Sequence, residues 1–261
     1  MTLLFQSKLR PQLATEVHIW LLDPNDLTNE TFSATGVHPD YWAWLSKEEQ
    51  QRQLRFHFEK DQRLFASAHL FVRYLLSHYV PIAPEEWCFN ASDLGKPEIT
   101  NKEGQGIRFN LSHTDGMIAC AVTESLNVGV DVERLGRVKK PSELAERIFT
   151  QREQNLMLDM TKKEEDQYFF SLWVLKEALV KATGAGISFG VEKLDFSLSV
   201  DALPSLSFQP AHLGNSDAWQ FYLASASKNI KLGLALEKGD EPQRRVVIKK
   251  GIKNWALPLL I

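Results

Sequence analysis

The sequence predicts an α+β protein, on three observations. A helical stretch followed by short apolar runs occurs twice along the chain. Residues 112–124 (SHTDGMIACAVTE) lie over 225–237 (SASKNIKLGLALE) without a gap, both reading as a small polar turn, an apolar strand and a closing Glu, although unrelated hairpins produce such echoes too. The composition, 44% hydrophobic and 24% charged, is that of a globular chain with an ordinary interior, which excludes disorder, collagen and coiled coil. At 261 residues one large domain or two of half the size both remain open.

Residues 16–23 (EVHIWLLD) are apolar with β-branched and aromatic members and stop at Pro24-Asn25-Asp26, which predicts a strand closed by a turn. A polar connection follows over 24–40. From Leu45 to Tyr79 there is no Gly or Pro, and Ser46 with Glu49 spells a capping box, so one long helix or two abutting ones are expected. Gly95-Lys96-Pro97 and residues 101–106 are turn chemistry. Residues 107–111, 117–123 and 127–133 read as three neighbouring strands, with 112–116 as the turn between the first two. Pro141 opens a helical region that reaches about Lys181, with a charged break at 161–166 and a stop at Gly184 and Gly186. Residues 194–200, 219–225 and 230–237 predict further strands, and 238–261 a peripheral tail.

Thirty Lys and Arg against 33 Asp and Glu give a net charge of −3, far from the basic balance of a dedicated nucleic-acid binder. Cys88 and Cys120 alone cannot make a disulfide framework or a CxxC-type zinc site, and a reducing compartment fits them best. The apolar runs Met1–Phe5 and Trp255–Ile261 are short of the ~20 residues that cross a bilayer. Lys8 and Arg10 follow the first run instead of preceding it, against the order of a secretory signal. A cytoplasmic protein with no membrane or nucleic-acid partner is expected.

Three segments carry chemistry. In Gly129-Val130-Asp131-Val132-Glu133, strand alternation points Asp131 and Glu133 to one face and the valines to the other. Like charges this close repel, and a hard divalent ion such as Mg²⁺ would neutralise them; an ordinary solvated strand face accounts for the same pair. Along 168–181 (YFFSLWVLKEALVK), Phe169, Leu172, Trp173, Leu175, Leu179 and Val180 form a core-facing arc with Glu177 and Lys181 just off it. Lys176 projects within that arc, where a lysine either snorkels or reaches a buried anion. Ser112-His113-Thr114, read as a turn, suits a polar or phosphate-contacting loop better than a nucleophile pair, since neighbours in sequence seldom reach attack geometry and this segment is no GxSxG elbow. Lys47, Arg52, Arg55 and Arg63 add cations around the first helix, and spacing alone makes none of them a phosphate site.

Taken in order, these segments resemble the 4′-phosphopantetheinyl transferase superfamily, and its Sfp-type enzymes more than the short trimeric holo-acyl-carrier-protein synthases. The family signature appears as Gly95-Lys96-Pro97, Phe109-Asn110-Leu111-Ser112-His113, Gly129-Val130-Asp131-Val132-Glu133 and Trp173-Val174-Leu175-Lys176-Glu177-Ala178-Leu179-Val180-Lys181. The resemblance spans roughly Glu16 to Glu237. It implies transfer of the phosphopantetheine arm of coenzyme A to a serine of an apo acyl or peptidyl carrier protein of fatty-acid, polyketide or peptide synthesis, releasing 3′,5′-adenosine bisphosphate.

Carried over position by position, it makes Asp131, Glu133 and Glu177 ligands of Mg²⁺, with Mn²⁺ the other candidate. Glu177 or a metal-bound water would take the serine proton, and Lys181 would stabilise phosphate charge. Lys176 would contact coenzyme A, while Lys96, Ser112 and His113 would hold its phosphates. Arg52, three residues before Arg55-Phe56, would meet the 3′-phosphate, with Lys47, Arg55 or Arg63 as substitutes because Glu49 stands where some relatives carry a lysine.

The implied architecture is two pseudo-symmetric α/β halves, each a small, largely antiparallel sheet packed with a long helix, and an active cleft between them. Residues 1–125 would form the coenzyme A-contacting half, 126–240 the metal and catalytic half, and 241–261 a tail. A monomer follows, since the second half supplies what another subunit supplies in the short enzymes. A non-catalytic coenzyme A-binding module and a Mg²⁺-dependent phosphohydrolase are the alternatives; the first has no need of Glu177 and Lys181, and the second would consume coenzyme A without a carrier. Arg244, Arg245, Lys249, Lys250 and Lys253 in the tail read more simply as solvated than as a dock for an acidic carrier.

Overall fold

Two strands of the chain are apolar on both faces, and each becomes the inner strand of a sheet. In the computed structural model, which describes residues 8–27, 32–33, 36–92, 95–186, 190–199, 201–208, 215–239 and 243–251, β7 (Met117–Glu124) runs antiparallel between β1 (Glu16–Leu22) and β6 (Ile107–Thr114). β12 (Ile230–Glu237) likewise runs between β8 (Val128–Arg134) and β11 (Trp219–Ser227). Val17, Ile19, Ala119 and Ala121 of the first sheet meet Val130, Val132, Leu232 and Leu234 of the second in a shared core. The opposite face of β7, with Ile118, Cys120 and Val122, packs with α3 (Glu59–Leu76), and α6 (Lys162–Thr183) covers the outer face of β8 and β12. The layers are therefore helix, sheet, sheet, helix.

The α+β reading holds, and the sequence echo has a structural counterpart. Both units run strand, helix, hairpin (β1, α3, β6–β7, then β8, α6, β11–β12), and in both the first strand pairs antiparallel with the last. The tail departs from expectation. Residues 245–250 form β13 (Arg245–Lys250), which returns to the first sheet and pairs parallel with β1 at its edge. Met1–Phe5, Val200, Lys253 and Trp255–Ile261 lie outside the described residues.

The remaining elements are short: β2 (Phe32–Ser33) with β3 (Gly36–Val37), β4 (Phe89–Ala91) with β5 (Pro97–Ile99), β9 (Asp195–Ser197) with β10 (Ser205–Phe208), and α1 (Pro39–Trp42). Of the two arrangements open for 45–79, the chain takes the abutting pair, α2 (Lys47–Leu54) and α3, with the capping box of Ser46 and Glu49 formed. The 141–181 region divides into α4 (Pro141–Ile148), α5 (Gln151–Met157) and α6. Residues 161–166 begin α6 instead of breaking a helix, because Thr161 and Glu164 make a reciprocal capping box, as Thr150 and Glu153 do for α5. Gly184, left-handed at φ 68°, ends α6 as expected.

Two features place the functional side chains. The first is a seam. β8 is an edge strand of its own sheet, and its free N–H groups donate to β6 side chains, Val130 to Asn110 Oδ1 (2.9 Å) and Val132 to Ser112 Oγ (3.3 Å). The edge is thereby satisfied without a backbone ladder. The second is the approach of α6. A Cβ on Gly129 would collide with the backbone of Ala178 and Ala182, and one on Gly233 with that of Val174, so at these two points helix backbone rests directly on sheet backbone.

In the first unit, α2 is clasped to α3 by Glu49, which accepts from His69 Nδ1 (2.8 Å) and Arg73 Nη2 (2.7 Å). Burial acts to raise the pKa of Glu49, but the His69 hydrogen bond and the Arg73 charge outweigh it and hold it at about 2.

Two outcomes are expected. Gly129→Ala lowers stability by at least about 3 kcal/mol in urea unfolding, since neither backbone can yield without separating α6 from the sheet. Glu49→Gln lowers it by up to about 3 kcal/mol at pH 7, the value of a folded-state pKa about 2.5 units below the unfolded one. That depressed pKa contributes stability above the unfolded carboxylate pKa and loses it as pH falls toward 2, so the two chains' unfolding free energies converge on acidification.

Candidate active site

Where α6 presses on β8 beside the seam, a cleft of about 340 Å³ opens, lined by Leu111, Ser112 and His113 from β6, Asp131 and Glu133 from β8, Trp173, Glu177 and Lys181 from α6, and Arg137. Expected as a turn, Ser112 to Thr114 instead continue β6, and the reversal is Asp115-Gly116 with Gly116 at φ +83°. Strand alternation then sends Ser112 and Thr114 toward β8 and leaves His113 exposed at the cleft mouth.

Asp131 is buried. Its Oδ1 accepts from Lys181 Nζ (2.6 Å) and Ser112 Oγ (2.8 Å), while Lys181 Nζ also donates to Ser112 Oγ (2.9 Å). Asp131 Oδ2 is buried with no partner. Glu133 accepts from Arg137 Nη1 at both carboxylate oxygens (2.9 and 3.0 Å) and from Thr114 Oγ1 (3.4 Å). Glu177 makes no hydrogen bond among the described residues. Burial, and then the charge of Asp131, raise the pKa of both Glu133 and Glu177. His113 is lowered, first by desolvation and then by the nearby Lys181, His69 and Arg52, so its neutral form is favoured.

The donor set fits a hard divalent cation: three carboxylates on two elements, of which Asp131 keeps one buried oxygen without a partner and Glu177 makes no hydrogen bond among the described residues. Among the described residues no three such groups stand in ligating geometry as placed, for Glu133 is turned to Arg137 and Asp131 Oδ1 to Lys181.

Not every residue singled out from the sequence reaches this cleft. Lys176 does not. It is 2% exposed on the far side of α6, where its ammonium pairs with Glu153 (2.7 Å) and donates to the carbonyls of Ile148 (3.1 Å), Val191 (3.0 Å) and Leu194 (2.5 Å). Of the two fates open to a lysine in an apolar arc, it takes the buried anion, and the expected coenzyme A contact is corrected. Lys96 also turns away, donating to the carbonyls of Ala182 (2.8 Å) and Val128 (3.4 Å), where it caps the end of α6; desolvation lowers its pKa. Arg52 and Arg55 line a separate open groove with Phe56, while Arg63 lines a larger groove that meets the cleft at His113 and Arg137. Lys47 is exposed on α2 and lines none of these.

Sequence reasoning assigned no role to Arg137 or the Asn110 side chain, and read Thr114 as part of a phosphate-contacting turn where it donates to Glu133. Asn110 stood inside a quoted motif, and its buried place on β6 opposite the free edge of β8 gives it one. Arg137 follows Glu133 by four residues on a loop, a spacing that carries no signal outside a helix.

Comparison with known proteins agrees across both units. Residues 127–235 match the 4′-phosphopantetheinyl transferase superfamily, and residues 39–125 match the family described as 4′-phosphopantetheinyl transferase, N-terminal. The 4′-phosphopantetheinyl transferase HetI of Nostoc sp. is 32% identical over 208 residues, 79% of this chain and 81% of that protein. The transferase psf-1 of Bacillus pumilus is 32% identical over 62% of this chain and 68% of its own length. Sfp of Bacillus subtilis is 26% identical over 66% of this chain and 75% of its own.

Because Lys176 belongs to the interior, Lys176→Met leaves Glu153 buried and uncompensated. Thermal and urea unfolding are expected to show a loss of about 3–5 kcal/mol, part of it recovered in Lys176→Met/Glu153→Gln, which removes the uncompensated charge and keeps the acceptors for Thr150 and Phe196.

Proposed function

This chain belongs to the 4′-phosphopantetheinyl transferase superfamily, and on that basis we propose that it moves the 4′-phosphopantetheine arm of coenzyme A onto a serine of an apo acyl or peptidyl carrier protein, with Mg²⁺, releasing 3′,5′-adenosine bisphosphate. The observation that carries this reading is the meeting of Asp131, Glu133 and Glu177 with Lys181 and Ser112 in one cleft. A solvated strand face would account for the carboxylate pair alone; the third carboxylate and the lysine that α6 brings beside it support the metal reading.

Asp131, Glu133 and Glu177 would hold Mg²⁺, or Mn²⁺ in its place, and the bound ion would neutralise charge on the coenzyme A pyrophosphate. The chain's own groups do the rest. Lys181, fixed between Ser112 and Asp131, presents its ammonium to the oxygens that gain charge as the P–O bond to the leaving phosphate lengthens. His113, at the mouth with its neutral form favoured, offers a ring N–H to a phosphate oxygen. Glu177, which makes no hydrogen bond among the described residues, is placed in the cleft to take the proton of the carrier serine as its oxygen bonds to phosphorus. Arg52, Arg55 and Arg63 are the candidate partners of the 3′-phosphate. No helix among the described residues is long and apolar enough to cross a membrane.

Incubated with coenzyme A, Mg²⁺ and a panel of apo carrier proteins, the chain is expected to add the mass of one phosphopantetheine to at least one of them. Asp131→Ala and Glu177→Gln should lower the rate at least about a hundredfold. No mass gain on any carrier would overturn the reading, and coenzyme A consumed without a carrier would favour a hydrolase.

A further inference from the structure

Arg137 stands against Glu133 in a way the transfer reaction does not require. Its Nη1 touches both oxygens of a carboxylate that is 11% exposed, yet its own side chain is 59% exposed and sits on the loop after β8 beside left-handed Gly136 (φ 76°). The other cation in the cleft is different. Lys181 is anchored by Ser112 as well as Asp131 and is 28% exposed. Arg137 has no side-chain hydrogen bond besides those to Glu133 among the described residues, and it borders the neighbouring groove with Arg63 and Arg134.

We propose that Arg137 is a placeholder cation: it neutralises Glu133 until a divalent cation arrives, and it must be displaced from that carboxylate for the ion to bind. This rests on the metal-site reading given above. Glu133 stands two residues from Asp131 on the same face of β8 and is only 11% exposed, so two carboxylates share a half-buried space and a cation at Glu133 offsets their repulsion; Arg137 Nη1 sits at both of its oxygens. A guanidinium supplies one positive charge and a divalent ion two, and both seek the same pair of oxygens. With both in place, two cations would crowd one carboxylate. The group that leaves is the one tethered by a loop and facing solvent, since Lys181 has a second anchor. Arg137 thus competes with the metal for Glu133, and its departure delivers a guanidinium to the rim of the adjoining groove.

The test is Mn²⁺ binding to the full chain without coenzyme A, followed by the electron paramagnetic resonance of the free ion. Arg137→Gln should bind Mn²⁺ about fivefold more tightly than the unsubstituted chain, the effect of removing one partly exposed ion pair. Arg137→Lys should lie between the two. In a Glu133→Gln background, the change at position 137 should have no effect on affinity. In chelator, where no ion replaces the guanidinium, Arg137→Gln should melt at a lower temperature. A merely structural arginine would weaken metal binding or leave it unchanged when removed, and either result overturns the proposal. Absence of Mn²⁺ binding in the unsubstituted chain would overturn the metal-site reading along with it, whereas equal binding by both chains overturns this proposal alone.

Discussion

The site depends on how closely α6 lies against the second sheet. Ordinary helix-on-sheet packing keeps a layer of side chains between the two backbones. Here Gly129 and Gly233 remove that layer at two neighbouring points, and Val174, Ala178 and Ala182, one turn apart on α6, come down onto them. Asp131 pairs with Gly233 and stands two residues from Gly129 on the same face, so the side chains of α6 just off the contact line, Glu177 and Lys181, are brought beside its carboxylate. A methyl group in either place would hold the helix away. The glycines are needed for what they lack, and neither has a positive φ.

The same contact decides the electrostatics. It packs three carboxylates into a half-buried space, which is unfavourable unless cations share it, and α6 brings Lys181 in the same turn that brings Glu177. The helix end is fixed as well: Gly184 terminates it and Lys96 donates to the Ala182 carbonyl from across the seam. Lys96, in a motif that looks like a ligand contact, here holds the end of the helix that carries Glu177 and Lys181.

Lys96 and Lys176 show where sequence reasoning stops. The face shared by Asp131 and Glu133, the core arc of α6 and the stop at Gly184 were legible because each follows from a local period or a local backbone need. Which side of a helix a motif lysine serves was not legible, because Lys176 is placed by Glu153 and three distant carbonyls that only the folded chain brings together. Ser112 to Thr114 were misread as a turn because three polar residues in a row look like one. On an edge they can be strand, since the polar side chains of β6 supply what β8 lacks. The charged run at 161–166 was misread for a similar reason, its Thr161 and Glu164 being a helix start and not an interruption.

The topology also gives a reason for a single cleft in a chain that repeats its own plan. Residues of β7 and β12 related by the echo's spacing of 113 occupy equivalent places, so their strand partners can be matched. Gly233 pairs with Asp131 where Cys120 pairs with Trp20, Lys231 pairs with Glu133 where Ile118 pairs with Leu22, and Ala235 pairs with Gly129 where Val122 pairs with His18. The first unit has an indole and an aliphatic chain where the second has its carboxylates, and an imidazole where close helix approach demands no side chain. Those replacements are committed elsewhere: His18 Nδ1 and Trp20 Nε1 both meet the Tyr79 hydroxyl, at 2.7 Å each. The matching edge is closed too. β8 leaves its outer edge to side chains, whereas β1 pairs along that edge with β13, and Gln220 of β11 exchanges hydrogen bonds with the Arg244 backbone just before it. A cleft of this kind needs an edge strand satisfied by side chains and a helix allowed close to it. The first unit has neither, and the strand that fills the gap comes from the segment the sequence had presented as a tail.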